Sequence, residues 1–211
     1  MIGFLGDVHG RYESLLKILE SWPGVTRWFQ VGDLGGEDLP YPDLPSNFHF
    51  IQGNHENWDA IASMRESGST TFIRNGEVLR YEDVGTPYTI GALGGNYSSR
   101  FYDTKQKDLC SDRRRHFVSE EVEALSTVPK LDILITHEAP VPFQKHGREL
   151  GQPVITRLLE KTHPDVHFFG HHHYYRVLEL EGTVTVGLEY ASQSYVLYDV
   201  VSGRIDRRFV S

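Results

Sequence analysis

Short apolar runs that stop at a polar donor recur along this chain, and they constrain its fold more than any other feature. The first is Ile2-Gly3-Phe4-Leu5-Gly6-Asp7-Val8-His9-Gly10. A run of this length bounded by glycine predicts a buried strand rather than a helix. In extended chain, side chains at i and i+2 point the same way. Asp7 and His9 are therefore expected to converge just past the strand's carboxyl end, where open α/β sheets bind ligands. An oxygen and an imidazole nitrogen there suit a borderline divalent metal. The arrangement returns at residues 27–31 before Gly32-Asp33, and at 48–52 before Gly53-Asn54-His55-Glu56. It returns again at 131–135 before Thr136-His137, and at 166–169 before Gly170-His171-His172-His173. Any one of these donors alone reads as a capping Asp or a satisfied His. Five strand ends that share the arrangement read as one site.

Helical patterns separate the strands. Tyr12, Leu15, Leu16, Leu19 and Trp22 keep helical spacing up to Pro23-Gly24, and Trp58, Ile61 and Ala62 mark a short second helix. Ser119 is placed to cap a third, with Glu120 and Glu121 in its first turn. Pro153 opens a fourth, whose inner face is Val154, Ile155, Leu158 and Leu159. Residues 70–73, 77–83 and 88–92 read as short strands, with Asn75-Gly76 as a hairpin turn. The tail (175–180, 183–186, 195–200 and 205–209) reads as an antiparallel run with turns at Glu181-Gly182 and Ser202-Gly203. Residues 94–117 hold no period and are too long for a plain connector, which marks a functional loop. Within it, 100–115 carries six Lys or Arg against three Asp.

A chain of 211 residues fits one α/β domain, here 1–211. Its net charge of −8 argues against a general binder of nucleic acid or anionic membrane. No apolar run approaches membrane-spanning length, and the start shows no signal peptide. The single Cys110 rules out an internal disulfide and fits a reducing compartment, so a cytoplasmic location is expected. Eleven histidines are the compositional oddity, and metal sites consume histidine.

The ordered set Asp7-Val8-His9, Gly32-Asp33, Gly53-Asn54-His55-Glu56, His137 and Gly170-His171-His172-His173 resembles the calcineurin-like metallophosphoesterase superfamily. The resemblance implies a four-layer α/β/β/α sandwich of two mixed β-sheets flanked by helices. The C-terminal strands would supply the second sheet, and a loop-rich cap insertion would lie around 94–118. It implies two divalent metal ions bridged by Asp33. Asp7, His9 and His173 would complete the first position, and Asn54, His137 and His171 the second. Mn²⁺ is the first choice, with Fe, Zn, Ni, Co or Mg as alternatives. A metal-bridging hydroxide would attack phosphorus in line, and His55 would act as the catalytic acid rather than as a ligand.

The implied substrate is a phosphate mono- or diester of a small molecule or nucleotide. Gly-Asn-His-Glu looks like the serine/threonine phosphoprotein phosphatases, which carry Gly-Asp-x-Val-Asp-Arg-Gly at the second motif. Here Gly36 replaces the acid and Glu37 the arginine, which weighs against that alternative. A reading of another class is a catalytically silent metal-binding scaffold. Asn96, Arg100, Arg113, His116 and His146 are candidate substrate contacts in the loops, against the plainer reading of a tight turn and a solvated charge run. Glu56 and Asp59 are candidates to orient His55. His49 and His167 read as packing histidines and His163 as solvent-facing. Oligomeric state is left open.

Overall fold

The computed structural model describes residues 1–36, 39–67 and 71–210. In chain order come β1 (Ile2–Leu5), α1 (Tyr12–Ser21), β2 (Trp28–Gln30), β3 (Phe48–Phe50) and α2 (Trp58–Ser67). The middle holds β4 (Val78–Asp83), β5 (Thr86–Leu93), α3 (Ser119–Ser126) and β6 (Ile133–Thr136). A small hairpin of β7 (Gln144–Lys145) and β8 (Arg148–Glu149) precedes α4 (Pro153–Thr162) and β9 (Val166–Phe169). The tail is β10 (Arg176–Leu180), β11 (Thr183–Gly187), β12 (Ser194–Asp199) and β13 (Arg204–Phe209).

Two large mixed sheets result, ordered β13-β12-β1-β2-β3 and β10-β11-β9-β6-β5-β4. β1, β2 and β3 run parallel in the first, and β5, β6, β9 and β11 in the second. The alternation of side chains along each strand then decides what packs where. Phe4, Phe29 and Val31 meet Ile90, Ile133, Ile135 and Phe168 between the sheets, with Phe4 stacked on Phe168 at 3.8 Å. On the outer face of the first sheet, Leu5, Trp28, Phe48 and Phe50 pack on Leu15 and Ile18 of α1 and Ile61 of α2. Beyond the second, Leu93 and Leu134 pack on Val122 and Leu125 of α3 and Leu158 and Leu159 of α4. The four-layer α/β/β/α expectation is borne out. The carboxyl ends of the parallel strands from both sheets meet along one edge.

Four local expectations need correction. Asn75-Gly76 is not a hairpin turn. Phe72 bridges in parallel to Phe50 on the first sheet while β4 belongs to the second, so this turn carries the chain between sheets; Thr70 lies outside the described residues. The hairpin turn is Val84-Gly85, between β4 and β5. The tail is not one antiparallel run, nor does it form the second sheet by itself. β10 and β11 extend the second sheet, whereas β12 enters the first between β1 and β13. Finally, Ser119 is the first residue of α3 rather than its cap; the Glu121 carboxylate reaches back to accept the Val118 N–H at 3.0 Å.

Candidate metal centre

Asp7 is fully buried two residues beyond β1. Its Oδ2 lies 2.8 Å from His173 Nε2 and 3.6 Å from His9 Nε2, and the two imidazole nitrogens are 3.2 Å apart. Asp33, after β2, turns Oδ2 to His9 Nε2 at 3.7 Å and Oδ1 to His137 Nε2 at 3.7 Å. His137 Nε2 is 2.9 Å from Asn54 Oδ1, and the His171 ring sits 4.9 Å from the His137 ring. All seven residues expected as metal donors thus gather at one place. Asp7, His9 and His173 form one tight donor group, and Asp7, Asp33 and His137 another.

The backbone reaches this arrangement by a route that simple strand alternation does not anticipate. His9, Asp33, His171 and His173 all have positive φ, at 48°, 59°, 65° and 51°. The chain therefore turns sharply after β1, β2 and β9, and neither Asp7–His9 nor His171–His173 is extended. Asp and His tolerate the left-handed region better than most residues, yet each such position costs about 1–3 kcal/mol. Glycine makes the crowding possible. A Cβ at Gly53 would fall 2.0 Å from Asp33 Oδ1, and one at Gly170 2.4 Å from Asp7 Oδ1. In these two motifs the opening glycine clears space for another motif's carboxylate.

The site's electrostatics suit cations. His137 donates its Nδ1–H to the Val31 carbonyl at 2.9 Å, which leaves a lone pair on Nε2 facing the Asn54 carbonyl oxygen, also a lone pair. Donor atoms converging without a proton between them call for a positive ion. Burial pushes the Asp7 carboxyl well up; burial and then the neighbouring Asp7 push Asp33 up to about 7. Burial pulls His137 and His171 down to about 3. Carboxylates that resist ionising and imidazoles that stay neutral are both relieved by a bound dication. The residues present fit divalent metal.

His55 stands exposed at the mouth, its ring 5.7 Å from that of His9, while its backbone N–H donates to Asp33 Oδ1 at 2.7 Å. Glu56 and Asp59 do not touch the His55 side chain. The buried Glu56 instead accepts the N–H groups of Leu34, Gly35 and Gly53, at 3.1, 3.1 and 3.0 Å, and the Tyr41 hydroxyl. It ties the second motif to the third, and burial followed by Asp33 pushes it up to about 7. Asp59 pairs with Arg114. His172 leaves the donor cluster and stacks on Phe143.

Among the loop candidates, Asn96 and His116 bridge each other through the backbone, and His116 stacks on Phe101. Arg100 and Arg113 lie exposed, each over the Phe101 ring. His146 sits exposed in the β7–β8 turn beside Tyr174 and Arg176. None of the five contacts a donor among the described residues. Glu37 and Asp38, which bear on the phosphoprotein-phosphatase alternative, lie outside them. Of the packing histidines, His167 is buried against the Thr136 hydroxyl and His49 stacks on Phe29. Sequence reasoning missed Glu138, a buried carboxylate with an oxygen within 4.8 Å of ring nitrogens of His171 and His172. Its position directly after His137 was the available signal.

The family model for calcineurin-like phosphoesterases matches residues 1–175. The chain belongs to the calcineurin-like phosphoesterase family. A search of curated protein sequences gave no significant match. Solved structures share the fold of this calcineurin-like chain at low identity. The Thermus thermophilus protein TT1561 superposes with a TM-score of 0.72 at 14% identity, covering 100% of this chain and 98% of that one. GAP50, the anchor in the inner membrane complex of Plasmodium, gives 0.56 at 11%, covering 100% and 88%. A putative 5'-nucleotidase from Staphylococcus aureus gives 0.55 at 9%, covering 99% and 52%. In this member of the family, no helix among the described residues is long and apolar enough to cross a membrane.

Proposed function

We propose that this chain hydrolyses phosphoric esters of small molecules or nucleotides with two divalent metal ions. Asp7, His9 and His173 would hold one ion and Asn54, His137 and His171 the other, with Asp33 shared. The observation that carries the reading is the disposition of Asp33, whose two carboxylate oxygens face donors on opposite sides at matched distances of 3.7 Å. When bound, such a pair of ions supplies a nucleophilic water near neutral pH and neutralises phosphate oxygens. The chain's own part is to hold the carboxylates dry and aimed: backbone N–H groups of His55 and His171 fix Asp33 and Asp7. His55, at the mouth, donates a proton to the departing alkoxide oxygen. Neutral Asn54 adds a donor without adding negative charge to a site that must accept an anion.

We take the chain as one domain with residues 94–118 as a loop-rich cap, Mn²⁺ as the first metal to test, and a reducing compartment as its location, given one exposed Cys110. The 5'-nucleotidase neighbour favours a nucleotide substrate. The anchor role named for GAP50 favours a second reading, a metal-binding scaffold without turnover, against which the complete donor set and His55 weigh. Turnover of p-nitrophenyl phosphate and bis-p-nitrophenyl phosphate with Mn²⁺ decides between them. Asp33→Asn should cut kcat/KM by roughly 10³-fold or more, since it touches both ion positions. Inactivity of folded, metal-loaded wild type across several metals and esters would favour the scaffold.

A further inference from the structure

The lip of the donor cluster carries a cation that no metal-ligand pattern requires. Arg11 follows His9 by two residues and is exposed. Its guanidinium donates to the Ser192 hydroxyl at 3.0 Å and lies 5.2 Å from the centre of the Tyr190 ring. That ring stacks on His173 at 4.0 Å and stands 5.7 Å from the His9 ring. One aromatic side chain thus connects the guanidinium to two of the donors. The segment bearing Tyr190 and Ser192 is anchored by backbone bonds from Ala191 N–H to the Asp7 carbonyl at 2.9 Å and from Leu188 N–H to the Phe169 carbonyl at 2.8 Å. No ion pair joins Arg11 to a carboxylate among the described residues; its partners there are a neutral hydroxyl and a neutral ring. A fixed guanidinium next to a site built for two dications raises the local positive potential, which is unfavourable until an anion enters. Guanidinium recognises phosphate oxygen by charge-assisted hydrogen bonds.

We propose that Arg11, held by Tyr190 and Ser192, binds a terminal phosphate oxygen of the substrate and thereby favours phosphomonoesters over phosphodiesters. This rests on the phosphoesterase reading above. A monoester has three terminal oxygens, so two facing the ions leave one for Arg11. A diester has two, and Arg11 finds none.

The test uses the Mn²⁺-loaded protein with Arg11→Ala and Arg11→Lys. Inorganic phosphate binding is measured by calorimetry, alongside kcat/KM on p-nitrophenyl phosphate and on bis-p-nitrophenyl phosphate. Loss of one charge-assisted bond should weaken phosphate binding and monoester kcat/KM roughly 10–100-fold in Arg11→Ala. Diester kcat/KM should change less than about 3-fold, with Arg11→Lys recovering part of the monoester loss. Equal losses on both esters, or unchanged phosphate binding, would overturn the proposal. Wild type that turns over neither ester but binds phosphate more weakly as Arg11→Ala would sink the hydrolase reading while supporting Arg11 as the anion site.

Discussion

The donor cluster and the 94–117 segment are both rich in polar side chains, yet they satisfy them in opposite ways. In the cluster, the buried Asp33 and His137, together with Asn54, aim lone pairs at one another. In the segment, charge is discharged locally: Arg114 donates to the Trp58 carbonyl and pairs with Asp59, Lys105 pairs with Glu120, and Arg100 and Arg113 cover Phe101. What distinguishes a candidate site is polar atoms left without a proton between them. A run of charge that finds partners nearby is a solvated face, for which pairing is worth little.

Three substitutions can break or sharpen this contrast. The largest effect is expected from His55→Ala. Esters with poor leaving groups should lose about 10²–10⁴-fold in kcat/KM, and activated aryl esters far less, because only the former need the proton. Equal losses on both would reduce His55 to an electrostatic role. Next comes Glu56→Ala, which leaves three backbone N–H groups and the Tyr41 hydroxyl without their acceptor. Urea unfolding should show about 3 kcal/mol of lost stability; a loss under about 1 kcal/mol would mean that the second and third motifs hold together without it. The smallest is Arg113→Ala. With the side chain exposed and, among the described residues, stacked only on Phe101, kcat/KM should move less than about 3-fold and stability less than about 0.5 kcal/mol. A tenfold fall in kcat/KM would bring the segment back into the site.

Most of the fold could be read in the sequence because the strands that matter are short, apolar and punctuated. Asp7, Asp33, Asn54, His137 and His171 each follow such a run, so their convergence needed only the rule that parallel strands present their carboxyl ends together. What stayed hidden depends on tertiary choice. Nothing local tells β11 to join β9 and β12 to join β1, since both are short strands buried along most of their length. Asn75-Gly76 carries the strongest hairpin spelling in the chain, but the Asn75 amide is occupied at Gly94 and Glu121, and the turn spans two sheets. The sequence offers Glu56 as a candidate partner of its neighbour His55, whereas its oxygens meet the backbone N–H groups of Leu34 and Gly35, 22 and 21 residues away. Tyr190 has no motif at all. Its place over His173 comes from the loop after β11, which packs beneath Asp7.

The insertion of β12 against β1 has a consequence for how the chain is made. β1, which leads into Asp7 and His9, is synthesised long before β12, its partner on that side. At ribosomal speeds of about 5–20 residues per second, that edge stays bare on the order of ten seconds or longer. The nascent protein must keep that edge of β1 from pairing with neighbours until β12 arrives.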